Sequence, residues 1–394
     1  MNQLKSSILT AFLGLLAVAS AQATNLTVGN LIVERFGNGS TTLSNAAFDT
    51  GVLEYTTSGT LIQTISFPST GSSQSTDSGT ATSNGYLNSY NGLVAVPGNN
   101  VSAGTASVTG LNNKLVSILD NTGTVVTRTL FPTGGPTGTP VSPFSGNNFR
   151  SAIATGNNTF YASGTSSGTP NTGGVWYNDG TSFTQVSTSV TNTRNLEIFN
   201  NQLYVASGSS GFLGINKVGT GLPTGSGETI TNIINMGTGA SPYGFVMFDT
   251  NNDSLLDTAF IADDRTTNDG GLHKWSFNGT AWVSSYSLLF DAAAGSLSDN
   301  AATGFAGIRG LTGSYDSVTG FSLFATTTET NNNRLVKIVD NGSTPTTYST
   351  LAAAGANYAF RGVDLNTVPE PSSAALLGFG TLALLGLRRL NRKS

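Results

Sequence analysis

Short runs of alternating apolar and polar residues fill the middle of this chain, and Gly, Asn, Ser and Thr separate one run from the next. Successive side chains of a strand point to opposite faces, so such alternation predicts β-strands with one buried face. The residues between the runs are those that favour turns. We therefore predict an all-β fold built from many short strands.

A two-strand module recurs six times along the chain. In each module an alternating run is followed by a Gly-Thr or Gly-Ser turn and, in most cases, a second run. The modules lie at residues 52–62, 115–126, 175–183, 215–220, 272–282 and 335–343. Upstream of most turns lies another strand signature, in which small residues follow an aromatic residue or a leucine, as at 160–164. Two strand signatures repeated in a fixed order favour the blades of a β-propeller.

The last predicted strand suggests how the two ends of the domain meet. Residues 360–365 resemble the strand that opens another unit at 308–311, yet no hairpin follows them. Pairing of this strand with residues 31–33 would close a circle and remove exposed strand edges. We predict a single closed β-propeller with six blades favoured and seven as the alternative. A pair of β-sandwiches or a β-helix is the competing architecture.

The N-terminal segment does not follow the strand pattern. Lys5 precedes an apolar run at 8–18, and Ala21 and Ala23 form a small-x-small cleavage site. This order is typical of a secretory signal peptide, a helix removed before Thr24. The competing interpretation is a buried N-terminal helix.

The C-terminal segment has three parts: the tripeptide Pro369, Glu370 and Pro371, an uncharged stretch at 374–387, and a basic end at 388–394. As a helix, the uncharged stretch would be ~21 Å long at ~1.5 Å per residue. The hydrocarbon core of a bilayer is ~30 Å thick, so we expect a short hydrophobic helix that acts as a weak, temporary anchor. The flanking arginines should stay on the cytoplasmic side.

These three parts, in this order, resemble the PEP-CTERM sorting signal of Gram-negative bacteria. The resemblance implies recognition by an exosortase, cleavage near Pro369–Pro371, and release or transfer to the outer surface. It also implies a location in or near an exopolysaccharide-containing biofilm matrix. An ordinary transmembrane anchor is the competing interpretation. The predicted organisation is a signal peptide at 1–23, a propeller ectodomain at 24–367 and a sorting signal at 368–394.

Composition narrows the chemistry that the chain can perform. It has no cysteine, which excludes disulfides, zinc-thiolate sites and cysteine nucleophiles. Charged residues make up 10%, and the net charge is −4 with five of the 17 basic residues in the two tails. Nucleic-acid binding needs clustered Lys and Arg, so we do not expect nucleic acid as a partner. The single histidine, His273, alternates with Trp275 and Phe277 on one strand face, and we interpret it as a packed strand residue rather than a catalytic base.

The only adjacent pair of acids is Asp263 and Asp264. Neighbouring strand residues point to opposite faces, so these two carboxylates cannot act together if the strand continues through them. We expect one of them to end a strand and accept hydrogen bonds from turn amides.

Oxygen-bearing side chains fall at relative positions 1, 3, 5 and 9 of the segment 249–257, on Asp249, Asn251, Asp253 and Asp257. This is the ligand spacing of a calcium loop. Between two predicted strands, the segment resembles the calcium hairpins of integrin-type FG-GAP propeller repeats. It departs from them at Ser254, where glycine is usual. The alternative is a hydrogen-bonded Asx turn without metal.

We therefore expect an exported surface or extracellular-matrix protein that is not an enzyme and that binds carbohydrate or another protein. Its expected partners are the export machinery and signal peptidase, an exosortase, and exopolysaccharide or other surface proteins. The alternative is a propeller hydrolase or lyase that acts on an extracellular substrate with calcium. Carboxylates that converge from several blades on the central channel would favour the enzyme, because fold alone does not decide function.

Overall fold

The structure is a computed structural model that describes residues 24–267, 269–300 and 304–366. Apart from one short 3-10 helix at Val108–Gly110, its regular elements are β-strands. The fold is therefore all-β, as predicted. The signal peptide and the C-terminal hydrophobic helix lie outside the described residues, and no helix within them is long and apolar enough to cross a membrane.

The strands form antiparallel sheets arranged like the blades of a propeller. A nine-stranded sheet contains β1 (Leu31–Gly37), β2 (Ala47–Tyr55), β3 (Leu61–Ser66), β4 (Thr76–Ser78), β5 (Asn88–Tyr90), β6 (Leu93–Asn99), β7 (Lys114–Leu119), β8 (Val125–Leu130) and the last strand of the chain, β27 (Tyr358–Leu365).

Four separate sheets follow. The first contains β9 (Phe149–Ala154), β10 (Phe160–Gly164), β11 (Gly174–Asn178) and β12 (Phe183–Ser187). The next contains β13 (Thr193–Phe199), β14 (Gln202–Ser207), β15 (Gly214–Val218) and β16 (Ile230–Asn235). The third contains β17 (Pro242–Phe248), β18 (Thr258–Asp263), β19 (Gly271–Phe277), β20 (Trp282–Asp291), β21 (Leu297–Ser298) and β22 (Phe305–Ala306). The last contains β23 (Ile308–Asp316), β24 (Gly320–Thr327), β25 (Arg334–Asp340) and β26 (Ser349–Ala353).

The sheet count differs from the predicted six or seven blades. Hydrogen bonding gives four separate sheets and the nine-stranded one, because β4 pairs with β2 and also bridges to β6 through Thr76 and Asn99. The ladders do not run from each sheet into the next, so the predicted closed ring is not closed by hydrogen bonds between the described strands. The predicted pairing of the chain ends is present, since Val33 lies opposite Val363 in the β1–β27 ladder.

The predicted hairpins are the paired strands β2–β3, β7–β8, β11–β12, β15–β16, β19–β20 and β25–β26. Two connections are longer than the predicted tight turns: residues 341–348 join β25 to β26, and residues 219–229 join β15 to β16. In the β15–β16 loop, the N–H of Glu228 donates to the carbonyl of Val186 in the preceding sheet.

The core lies between the faces of neighbouring sheets. Every residue of β9 and β10 is buried, because both faces of that sheet are covered, whereas β3 on the outside is largely exposed. Between β8 and the next sheet, the ring of Phe131 lies 5.0 Å from that of Phe149. Burial of such side chains is the main favourable contribution to folding.

Six strands lie side by side without forming hydrogen-bonded ladders with one another, and we call them the axial strands: β5, β9, β13, β17, β23 and β27. Each lies beside the next in this order, and the last, β27, lies beside the first, β5. Their backbones approach closely where glycine is present. A Cβ on Gly310 would come within 2.6 Å of the carbonyl oxygen of Arg361, and one on Gly362 within 2.7 Å of that of Gly85. A larger residue at either position would force the axial strands apart.

Candidate functional site

One end of the axial strands carries a set of six large polar side chains that we call the axial ring. Four of the residues are the second of their strands, Arg361 is the fourth residue of β27, and Tyr86 lies just before β5. The ring consists of Tyr86, Arg150, Arg194, Tyr243, Arg309 and Arg361. Contacts and charge effects between these side chains show that six segments distant in sequence bring the same two residue types to one place.

The two tyrosines and one arginine of the ring are in direct contact. The rings of Tyr86 and Tyr243 lie 5.7 Å apart at an interplanar angle of 36°. The guanidinium carbon of Arg194 lies 4.0 Å from the centre of the Tyr243 ring. A guanidinium group at this distance is attracted by the ring quadrupole, which favours its position over the Tyr243 ring.

Within the described ranges, Arg150 and Arg194 donate hydrogen bonds only to neutral acceptors. Arg150 Nη1 donates to Asn192 Oδ1 at 2.6 Å and to the Thr193 carbonyl at 2.9 Å. Arg194 Nη1 donates to Ser241 Oγ at 2.9 Å and to the Pro242 carbonyl at 2.8 Å. The Nε atom of each is buried without a hydrogen-bond partner among the described residues. Burial lowers the pKa of Arg150 to about 10, which leaves it positively charged at neutral pH.

Arg309 differs from these two because it has a carboxylate partner. Its Nη2 and Nε lie 3.0 and 3.1 Å from Asp264 Oδ2. The adjacent Asp263 ends β18 and is fully buried. It accepts hydrogen bonds from the N–H of Ser241 and from the side chain of Arg265. The adjacent acids therefore bind different arginines, Asp263 binding Arg265 and Asp264 binding Arg309. This agrees with the prediction that the two carboxylates do not act together.

Arg361 lies near two buried acids that sequence analysis did not single out. Its Nη2 donates to the Gly79 carbonyl at 3.0 Å. Glu34, in β1, is fully buried, and neither carboxyl oxygen has a hydrogen-bond partner among the described residues. Burial raises the pKa of Glu34 well above its usual range, and the charge of Asp77 raises it further. Burial also raises the pKa of Asp77 to about 6, against hydrogen bonds from Asn84 and Ser78.

A cavity of about 200 Å³ lies towards the other ends of five axial strands. Glu197 and Asp364, from β13 and β27, both line it. Asp364 accepts hydrogen bonds from the N–H of Ser89 at 2.7 Å and from Thr312 Oγ1 at 2.8 Å. Glu197 accepts one from Asn195 Nδ2 at 3.0 Å.

The two carboxyl groups of this cavity influence each other. Burial raises the pKa of Glu197 well above its usual value, and the nearby charge of Asp364 raises it further. Burial raises the pKa of Asp364 to about 6 in spite of its hydrogen bonds. Two like charges in one buried site disfavour simultaneous ionisation, so the pair can hold a proton near neutral pH. The arginine end can thus attract an anion, and the cavity end can donate or accept a proton.

The oxygen-rich loop is placed between β17 and β18, and its side chains bind the loop's own backbone. Asp249 accepts from the N–H groups of Asp253 and Ser254, and Asp253 accepts from that of Leu255. Asn251 accepts from Asp253 N–H, while Asp257 accepts from Thr250. No group of three or more His, Cys, Asp or Glu residues that could hold a metal occurs in the described ranges. Calcium binding by this loop stays a prediction.

His273 lies in β19 and is buried, as predicted for a packed strand residue. Its Nε2 lies 2.9 Å from the carbonyl of Asp269. Burial lowers the pKa of His273, so the imidazole is neutral at physiological pH.

The C-terminal tail is similar to a known sorting motif. Residues 367–393 match the family model of the PEP-CTERM protein-sorting motif. The chain therefore carries an exosortase sorting signal at its C-terminus, and this implies export with membrane-anchored sorting to the surface. Pro369, Glu370 and Pro371 fall within this match. They lie outside the described residues, and so do Ala21 and Ala23 of the predicted cleavage site.

Similarity beyond the tail is remote. No curated protein matches the chain in sequence. Among solved structures, the chain is similar to a proposed 6-phosphogluconolactonase from Bacteroides uniformis, at 12% identity and a TM-score of 0.40 over 84% of this chain and 83% of that one. It is also similar to another from Bacteroides fragilis, at 11% identity and a TM-score of 0.42 over 81% and 82%. At these TM-scores the similarities say nothing about activity.

Proposed function

We propose that the protein is an exported surface protein whose propeller-like domain binds a ligand at the axial ring without transforming it. The observation that carries this proposal is the convergence of four arginines and two tyrosines from six distant segments on one place. Arginine and tyrosine are the residue types enriched where proteins bind partners, because they combine a large contact area with directional hydrogen bonds. We do not propose nucleic acid as the ligand, because the basic residues form one small cluster and not an extended basic surface along a phosphate backbone.

The route to the surface belongs to the same proposal. Signal peptidase removes residues 1–23, and the C-terminal helix holds the protein in the inner membrane until an exosortase cuts near Pro369–Pro371. The protein then acts at the cell surface or in an exopolysaccharide matrix. Intact-mass measurement of protein from the producing cells tests this route. Expected is a chain that begins at Thr24 and lacks residues 388–394. A full tail on protein at the outer surface contradicts it.

The binding proposal is tested with extracellular polysaccharide from the producing strain. The exported protein is mixed with the polysaccharide, and bound protein and released sugar are both measured. Saturable binding without release of shorter products supports a binding module. Absence of binding overturns the proposal, and release of products favours the second candidate.

The second candidate function is a hydrolase or lyase acting on an extracellular substrate with calcium. It is favoured by the meeting of Glu197 and Asp364 at one cavity, because paired carboxyl groups with raised pKa values suit general acid–base catalysis. Product release that Glu197→Gln abolishes, with binding retained, would establish it. A matched change outside the cavity, Glu228→Gln, should leave such an activity intact.

We further propose that the sheets form one ring of six units. The nine-stranded sheet would count as two of them, β27–β1–β2–β3 and β5–β6–β7–β8, with β4 as a bridge between them. The packing of β23 beside β27 and of β27 beside β5 supports this count. An experimental density map that leaves β1 and β27 unpaired would contradict it.

A further inference from the structure

The positive charge of the axial ring is not matched by carboxylates. Of its four arginines, Arg309 forms an ion pair with Asp264, and Arg361 lies near Asp77 and Glu34. Arg150 and Arg194 form no ion pair with any described residue. The carboxylate that influences Arg150 is Asp264, which is already hydrogen-bonded to Arg309.

Arg150 and Arg194 lie on neighbouring axial strands, and Arg150 Nη1 donates to Asn192 and Thr193, the two residues that precede Arg194. Buried charges are normally paired, because an uncompensated buried charge costs free energy. Here the buried Arg150 and the half-buried Arg194 are neighbours, and each has a buried Nε–H without an acceptor among the described residues. The two arginines therefore lack a partner that carries negative charge and has several oxygen atoms able to accept hydrogen bonds.

From this geometry we infer that Arg150 and Arg194 together form a binding site for an oxyanion, the carboxylate or sulfate group of an acidic sugar or an inorganic anion of that shape. Planar guanidinium groups present parallel N–H donors that match the oxygens of such groups. Tyr243, against which Arg194 is packed, holds that guanidinium in place. This inference deepens the proposed binding function, since it names the ligand class that the axial ring takes.

Another arginine supplies a matched control. Arg128, in β8, also has a buried Nε without a partner, and its Nη1 donates to the carbonyl of Ser72 at 3.1 Å. It has no second arginine beside it in the axial ring. If a solitary guanidinium with a free Nε–H were sufficient, Arg128 would bind anions equally well. The inference requires that it does not.

The test uses the exported protein with sodium sulfate and with sodium glucuronate as separate probes, and sodium chloride at equal ionic strength as reference. Titration calorimetry measures affinity, and arginine Nε–Hε NMR resonances report the site directly in the unaltered protein. We expect saturable binding with a dissociation constant on the order of millimolar. The Nε resonances of Arg150 and Arg194 should shift, and that of Arg128 should not. Tighter binding of one probe identifies sulfate or carboxylate as the source.

Arg194→Gln should weaken binding at least about tenfold, which corresponds to loss of one charge-assisted contact. Arg128→Gln should leave it unchanged. If Arg194→Gln does not fold, Arg194→Lys, which keeps the charge but loses the planar fork, should still weaken binding. Unshifted Nε resonances, or equal effects of the Arg194 and Arg128 changes, overturn the inference.

The outcomes for the two proposals are separable. Polysaccharide binding that Arg194→Gln leaves intact would refute the oxyanion site while the binding function stands. Sulfate or glucuronate binding at Arg150 and Arg194 without polysaccharide binding would do the reverse.

Discussion

Tyr86 and Tyr243 are 157 residues apart in the chain, yet their rings meet at 5.7 Å in the axial ring. Tyr86 lies just before β5 and Tyr243 in β17, on strands that are not neighbours in the axial order. Both side chains are buried. The pair therefore joins two sheets that share no hydrogen-bonded ladder. Arg194 packs against the Tyr243 ring beside it.

The Tyr86–Tyr243 contact should matter for stability through packing and not through the Tyr243 hydroxyl. Tyr86→Ala should lower the free energy of unfolding by about 3 to 5 kcal/mol, the range for large aromatic core residues. Tyr243→Phe keeps the ring and should be nearly neutral. Urea denaturation measures both. Equal losses for the two variants would contradict a packing role.

Glu34 and Glu54 are buried glutamates in adjacent strands, and replacing them by glutamine should change the stability of the protein in opposite directions. Glu34 has no hydrogen-bond partner among the described residues, whereas Glu54 accepts from Thr27 N–H, Asn30 Nδ2 and Gln63 Nε2 at 2.6 to 2.8 Å. Glu34→Gln should raise stability at neutral pH, because it removes a carboxyl group that burial makes costly to ionise. Glu54→Gln should lower it, because its amide group would face donors.

The Glu34 and Glu54 variants are compared by denaturant unfolding at pH 7. We expect Glu34→Gln to shift the midpoint upwards and Glu54→Gln to shift it downwards. A loss of stability in both variants would mean that Glu34 makes a favourable interaction in the folded protein.

Asp364 should make stability depend on pH in a direction unusual for a carboxylate. Its folded pKa of about 6 exceeds its ordinary value of 3.8, so the folded state binds a proton more tightly than the unfolded state. The contribution of Asp364 to the free energy of unfolding is therefore fully present below about pH 4, and it is lost as the pH rises to about 6. Relative to Asp364→Asn, the unaltered protein should lose about 3 kcal/mol across this window.

The exposed turn residue Asp316 provides the control for sign. Hydrogen bonds from Thr319 and Val318 lower its pKa, so its contribution is present above its ordinary pKa and is lost as pH falls. The free energy of unfolding is measured from pH 3 to pH 7 for the unaltered protein, Asp364→Asn and Asp316→Asn. The difference between the unaltered protein and each variant should change with pH in opposite directions for the two variants. Parallel slopes would show that Asp364 is not held protonated.

The hairpins are predictable from sequence because their signal is local. Alternation and turn glycines are properties of adjacent residues, so the pattern at 115–126 and 272–282 is sufficient to predict paired strands. Gly219 shows the limit, since the same dipeptide begins a long loop whose course depends on a contact with Val186 in another sheet. Merging of two predicted units by β4 also depends on pairing between distant segments, which periodicity does not report.

The axial ring escapes sequence analysis for a related reason. The similarity of the segments around Arg309 and Arg361 is visible in the sequence, but on its own it indicates only a repeated strand. Arginine is normally exposed, and burial of Arg150 follows from the packing of sheets that lie far apart in the chain. Glu34 and Glu197 carry no sequence signal of their burial either. A search for Arg or Tyr followed by a small residue at the start of each unit would find most of the ring.

The last strand should be required for folding, while the tail after it is not. β27 pairs with β1 from Leu31–Leu365 to Gly37–Tyr358, and Asn366 N–H donates to the carbonyl of Asn30. A chain that ends at residue 366 should melt cooperatively like the longer protein. One that ends at 357 should aggregate, because β1 becomes an exposed edge. As a milder pair, Val363→Asp should destabilise strongly and Val339→Asp, at an exposed position, only slightly.

The oxygen-rich loop offers the sharpest choice between two interpretations of one motif. If it binds calcium, the three carboxylates of Asp249, Asp253 and Asp257 need the cation to offset their repulsion. Calcium at a hundredfold excess over its dissociation constant should then stabilise the protein by about 2.7 kcal/mol and raise its melting temperature by about a few degrees.

Asp253→Ala separates the calcium site from the turn. It should abolish the calcium-dependent part of the rise, while Asp316→Asn, in a turn elsewhere, should leave that part unchanged. As a turn, the loop needs no metal, since Asp253 already accepts the Leu255 N–H at 2.8 Å and Asp249 that of Ser254 at 2.7 Å. Loss of one such bond costs about 1 kcal/mol whether calcium is present or chelated. Identical melting of the unaltered protein in calcium and in chelator would therefore establish the turn, because only the ion site couples stability to calcium.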